Sequence, residues 1–138
     1  MTPKTIILVQ NSFRKVAPIA DQAADIFYDR LFEIAPELRG MFPAEMTGQK
    51  RKLMSTLAFA VNSLRDLDAL MPALRDLGAR HNGYEVKNEH YGTVGAALLY
   101  TLEKGLGDAW SPELHDAWAE VYGTVSSVMK QAAMDAAA

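Results

Sequence analysis

The stretch ALRDLGARHNGYEV, residues 73–86, runs helix-like into a histidine and then stops. Leu70, Leu74 and Leu77 recur three to four residues apart, the spacing of one helix face, and lead toward His81, one of three histidines in the chain. Asn82-Gly83 follows at once, a dipeptide that marks turns and breaks helices. Taken alone, His81 reads more readily as a polar residue at a helix terminus than as a ligand. The decision rests on what the neighbouring segments enclose.

Those segments are helical throughout. Thr2-Pro3 pairs an N-cap hydroxyl with a proline whose missing N–H matters least at a first helical position, so a helix is predicted from Lys4 to about Ala17. A second is predicted from about Pro18 to Ala35, with Ala23, Phe27, Leu31 and Ile34 on its apolar face. Pro36 opens a short helical turn to Met41, which ends at Phe42-Pro43 because a residue before proline avoids helical dihedrals. A long helix from about Thr47 to Asp66 follows. Asp68 is the expected cap of the next, placing Pro72 in its first turn. Asn88 to about Leu106 forms another, and Ser111-Pro112-Glu113 opens the last, whose tail DAAA is expected to fray. The expectation is one all-α domain over residues 1–138, built of about seven helical segments.

Composition narrows the function. A chain of 138 residues with 49% hydrophobic and 22% charged residues can bury a substantial core. A formal net charge of −3 gives no electrostatic reason to expect nucleic acid or an anionic membrane as partner. No apolar run approaches the ~20 residues that cross a bilayer. The patch Ile6–Val9 is cut short by Gln10-Asn11-Ser12 and makes a poor leader, so a cytoplasmic protein is expected. With no cysteine, disulfides, thiolate metal sites and cysteine nucleophiles are all excluded.

Four motifs, FYDRLF at 27–32, PELRGMF at 36–42, LDALMPALRDLGARH at 67–81 and HDAWAEVYG at 115–123, share the order and spacing of one family. The chain resembles the single-domain bacterial haemoglobins and the haem domain of flavohaemoglobins over about residues 4 to 130. That resemblance implies a globin fold around haem b (iron protoporphyrin IX). It makes His81 the proximal iron ligand, and a neutral imidazole on iron leaves a sixth position open. His90 and His115 match no ligand position and are expected to be structural or solvent-facing.

On the other side of the haem, the resemblance assigns Tyr28 and Gln49 to the distal pocket, with Leu53 one turn beyond on the same helix face. A phenol O–H and an amide N–H suit an oxygen molecule that has drawn charge from iron, and suit carbon monoxide less. Phe42 matches the phenylalanine that packs on the porphyrin. Leu77, Val86, Val94, Leu98 and Tyr122 are candidates for the remaining pocket. Tyr91 matches a tyrosine that lies beside the proximal histidine, where it can orient the imidazole. Lys52 and Arg80 are candidate partners of the haem propionates.

Two departures bear on activity. Flavohaemoglobins continue into a flavin and nicotinamide reductase, for which 138 residues leave no room. The family's haem domain also has a glutamate eleven residues after the tyrosine matching Tyr122, and here that position is Ala133. Without that carboxylate, the electron push that favours O–O cleavage should weaken. The expected function is reversible binding of oxygen, carbon monoxide and nitric oxide, with nitric oxide dioxygenation only where a separate reductase supplies electrons. The alternative is a haem-free or haem-based helical regulatory module.

Overall fold

The computed structural model describes residues 1–83 and 88–137, and at residues 81–83, 88 and 137 the backbone alone. Among these residues there are six α-helices, three 3-10 turns and no strand. They are α1 (Pro3–Val16), α2 (Ala20–Ile34), α3 (Thr47–Asn62), α4 (Leu67–Gly83), α5 (Asn88–Leu106) and α6 (Pro112–Ala137). The 3-10 turns are Ala17–Ile19, Pro36–Met41 and Gly107–Ala109.

Local chemistry sets most of the boundaries. Thr2 Oγ1 accepts from the Thr5 amide at 3.2 Å and Pro3 is the first residue of α1. Ser111 Oγ accepts from the Leu114 amide at 3.1 Å, ahead of Pro112, and so begins α6. Phe42 is extended, with φ −119 and ψ 154, in front of Pro43.

Four boundaries differ from the sequence-based expectation. The second helix does not begin at Pro18: Ala17–Ile19 forms a 3-10 turn, Ile19 leaves helical dihedrals at φ −112 and ψ 32, and α2 starts at Ala20. Pro18 has no N–H to continue the ladder from α1, so the register is broken there. The long third helix stops at Asn62, and Asp66, not Asp68, caps α4 by accepting from the Ala69 amide at 3.3 Å. Pro72 therefore lies inside α4, in its second turn, where it removes a hydrogen bond to the Asp68 carbonyl. Both residues are exposed, so water can serve that carbonyl. Finally, α6 runs to Ala137 in place of a frayed tail; alanine is the best helix former, and Gln131 Nε2 donates to Asp135 Oδ1 one turn on at 3.0 Å.

α4 lies along α6 and α2 along α5, with α1 packed against α6, α3 and α5. α3 is the long helix that burial holds least, its only buried residue being Val61 near its C-terminal end. Buried polar groups tie the layers together: Trp118 Nε1 donates to Ser12 Oγ at 2.9 Å, and Ser12 donates on to the Val9 carbonyl at 2.9 Å. Gln10 Nε2 reaches the Val61 carbonyl at 3.0 Å and so holds the far end of α3. Among the described residues no helix is long and apolar enough to cross a membrane.

Two helix crossings depend on glycine. A Cβ on Gly78 would stand 2.3 Å from the Met129 carbonyl oxygen and 2.6 Å from its Cα, so α4 and α6 meet backbone to backbone. Gly78 is three residues before His81, and this contact sets the height at which the end of α4 is carried. On α5, a Cβ on Gly95 would stand 2.7 Å from Tyr122 Cε2.

Gly78→Ala should therefore destabilise the fold by about 1–3 kcal/mol, because backbone cannot yield as a side chain can, and despite ~1 kcal/mol of gained helix propensity. Gly123→Ala, on an open face of α6 with nothing within 4 Å of the new methyl, should stabilise by roughly 0.5–1 kcal/mol. Urea unfolding of the two variants measures both, and equal or improved stability in Gly78→Ala would contradict the crossing.

Candidate functional site

α2 carries Tyr28 inward, 4% exposed, among aromatic rings. Phe27 meets it edge-on at 5.0 Å between centroids, Phe42 edge-on at 5.6 Å, and Phe32 tilted at 5.9 Å. From α3, Gln49 Nε2 donates to Tyr28 Oη at 3.2 Å. The phenol oxygen is thus the acceptor, and among the described residues its own hydrogen has no acceptor. Burial pushes the phenol above its ordinary value near 10, opposed by the Gln49 hydrogen bond and by the charge on Lys50. Tyr28 is therefore a neutral donor at pH 7. Leu53, one turn beyond Gln49, is half-buried and packs against the core.

Phe42 comes from the segment after the Pro36–Met41 turn, which has no regular hydrogen bonding of its own. Arg39 supplies it. Its guanidinium donates to the carbonyls of Phe42 at 3.3 Å, Pro43 at 3.0 Å and Ala44 at 3.2 Å. The same group lies 5.4 Å over the Phe32 ring, which in turn meets Phe42 edge-on at 5.5 Å. One arginine thus fixes both the backbone and the neighbouring ring of Phe42.

A second group of side chains is assembled by α5 and α6. Tyr122 Oη donates to the Tyr91 carbonyl oxygen at 2.5 Å, its ring seated over Gly95. Burial first, and then the neighbouring Tyr91 phenol, push Tyr122 well above the ordinary tyrosine value. Tyr91 is also raised by burial, and Lys130 Nζ stands 5.5 Å from its ring. Leu98 is buried, and Leu77, Val94 and Tyr122 are half-buried against the same apolar cluster.

The structure thus brings Tyr28, Gln49 and Phe42 into direct contact, and Tyr91 with Tyr122. Lys52 is exposed on α3, and Arg80 is exposed on α4, where it pairs with Asp76 at 3.2 Å. His81 stands in the last turn of α4, its side chain outside the described residues, and Val86 lies outside them altogether. His115 is exposed beside Asp116 at 3.3 Å, and His90 is half-buried in the first turn of α5. Ala133 is half-buried on α6.

Sequence reasoning passed over Arg39, Phe32, Gly78 and Gly95. The two glycines carried a usable signal, since glycine within a helical run costs about 1 kcal/mol and asks for a reason. Arg39 carried a weaker one, a cation at the end of a helical turn with free carbonyls beyond it.

Compared with known proteins, residues 25–129 match the family model described as Globin. The chain is 30% identical over 128 residues, 89% of its length, to a flavohemoprotein of Bacillus subtilis. It is 30% identical over 131 residues, 93% of its length, to a flavohemoprotein of Rhodopirellula baltica. In each case the match covers 32% of the relative, so the chain spans about a third of their length.

The buried phenols make a pH-dependent contribution whose sign follows from their raised values. Tyrosines of the unfolded chain lose protons first, near pH ~10, so the stabilisation is full below that pH and is lost as pH rises toward the folded values. Ultraviolet titration of the native protein should show a late-ionising fraction, from which Tyr28→Phe, Tyr91→Phe and Tyr122→Phe each remove one phenol. Ionisation of every tyrosine with a midpoint near ~10 in the native protein would contradict it.

Proposed function

Since the chain belongs to the globin family, we propose that it binds haem b through His81 and, in the cytoplasm, reversibly holds oxygen and other diatomic gases. One observation carries this: a buried, neutral phenol, Tyr28, accepts from Gln49 and keeps its own hydrogen uncommitted. Burying a polar hydrogen without a partner is unfavourable, and a bound gas molecule is the partner that removes the penalty.

The residues present fit the group. Haem would supply an iron atom at which a diatomic gas can bind. Phe42, Leu53 and Leu98 offer apolar surface, which would keep out the water and protons that promote oxidation of the iron by oxygen. Tyr28 would donate to a bound gas that accepts hydrogen bonds, and the amide donated by Gln49 makes that phenol a stronger donor. Carbon monoxide, a poorer acceptor, gains less from the same donors. Lys52 and Arg80 are free to meet the propionates, because the exposed Arg80–Asp76 pair is weak enough to exchange. Ala133 offers no carboxylate to polarise His81, which suits gas binding better than O–O cleavage.

Nitric oxide detoxification is the further activity open to this site. Nitric oxide, oxygen and one electron together make nitrate, and the electron would come from a reductase. The flavohemoproteins to which the chain is similar support this choice over a haem-free regulatory module.

The test is ligand dissociation. A hydrogen bond to a charged partner contributes roughly 1.5–3 kcal/mol, and ~1.4 kcal/mol is a factor of ten. After haem uptake is verified by the visible spectrum, Tyr28→Phe should release oxygen about ten- to hundred-fold faster, with carbon monoxide much less affected. A double variant with Gln49→Leu shows whether Gln49 swings in to replace part of the lost bond. Unchanged oxygen dissociation in both variants, or an equal shift for both gases, would contradict the donor role.

A further inference from the structure

α3 presents Gln49 and Leu53 from the part of the helix that burial holds least. Its one buried residue, Val61, lies three turns further on. Along its first two turns, two polar bonds cross to α2. Gln49 Nε2 meets Tyr28 Oη at 3.2 Å, and beside it Lys50 Nζ meets Asp25 Oδ1 at 2.7 Å. Lys50 follows Gln49 directly and Asp25 lies one turn before Tyr28, so the two bonds run side by side across one seam.

The ion pair gives the seam a cation surrounded by carboxylates. The ammonium of Lys50 faces Asp25 and Asp29 on α2 and Glu45 just ahead of α3, and these carboxylates hold its pKa above the ordinary lysine value. Glu45 is itself committed to the helix start, where its Oε1 accepts from the Thr47 amide at 2.8 Å and from the Thr47 hydroxyl. With Lys50 removed, Asp25, Asp29 and Glu45 lose the cation on which all three act.

We propose that the Lys50–Asp25 ion pair is a salt-sensitive latch, a positioning device that holds Gln49 and Leu53 over Tyr28 and so limits how fast a gas reaches that side. The pair is exposed, 32% at Lys50 and 59% at Asp25, which makes it weak and open to screening. That weakness suits a latch, because a strong bond would not release. The kinetic consequence rests on the gas-binding function proposed above; the mechanical one does not.

A diatomic gas is neutral, so ionic strength cannot steer it to the protein. Any salt dependence of its association therefore reports a change in the protein. Flash photolysis of the carbon monoxide complex, from low salt to ~1 M sodium chloride, should show association rising about two- to five-fold in the unaltered protein as screening loosens the latch. Lys50→Met should start at the fast rate and show little salt dependence, and Lys50→Arg should behave like the unaltered protein. The exchange of Asp25→Lys with Lys50→Asp should restore the salt dependence, which a role in general stability would not. In the haem-free chain, amide hydrogen exchange at residues 51–54 should quicken with salt and in Lys50→Met. If exchange responds but no haem or gas is bound, the latch stands and the gas-binding function falls. If gas binds and neither association nor exchange differs between the unaltered protein and Lys50→Met, the latch is wrong.

Discussion

The hydrogen bond from Gln49 to Tyr28 is the contact on which the site turns. It joins a deeply buried tyrosine of α2 to α3, a helix with a single buried residue, and it determines which way the phenol is used. Had Tyr28 donated to Gln49, its proton would have been committed within the protein. Because it accepts, its proton has no acceptor among the described residues, and burial keeps that proton bound at neutral pH. The aromatic contacts of Phe27, Phe32 and Phe42 then fix the ring, so the donor has one direction.

Everything around this pair positions it. Arg39 supplies the hydrogen bonding that the Phe42–Ala44 segment lacks and places Phe42 against the Tyr28 ring. On the other half of the molecule, glycine does the work that side chains do elsewhere. Gly78 lets α4 rest on the backbone of α6 one turn before His81, and Gly95 leaves room for the Tyr122 ring. Close approach at these crossings leaves the backbones of α4 and α6 little freedom to shift against each other.

Much of this fold was legible because helix ends are local chemistry. Thr2-Pro3, Pro36, Asn88 and Ser111-Pro112 announce starts that the structure keeps, and Phe42-Pro43 announces a stop. Asp66 and Asp68 are chemically identical caps two residues apart, and a proline that would sit best in a first turn pointed to the wrong one. The Globin match bears out the fold suspected from four motifs in register, which periodicity alone could not separate from a dry bundle. Ion pairs between helices were not legible. Lys50 and Asp25 look like solvated surface in one dimension and become partners only when the helices are placed.

The account stands or falls on whether the Tyr28 hydrogen points at the gas. The infrared band of the bound carbon monoxide reads this directly, because a donor beside the ligand weakens its internal bond. The prediction is a C–O stretch that lies low in the unaltered protein and moves to higher frequency in Tyr28→Phe, with packing and visible spectrum retained. The same C–O frequency in both proteins would mean that Tyr28 is a core tyrosine and that its proton serves no ligand.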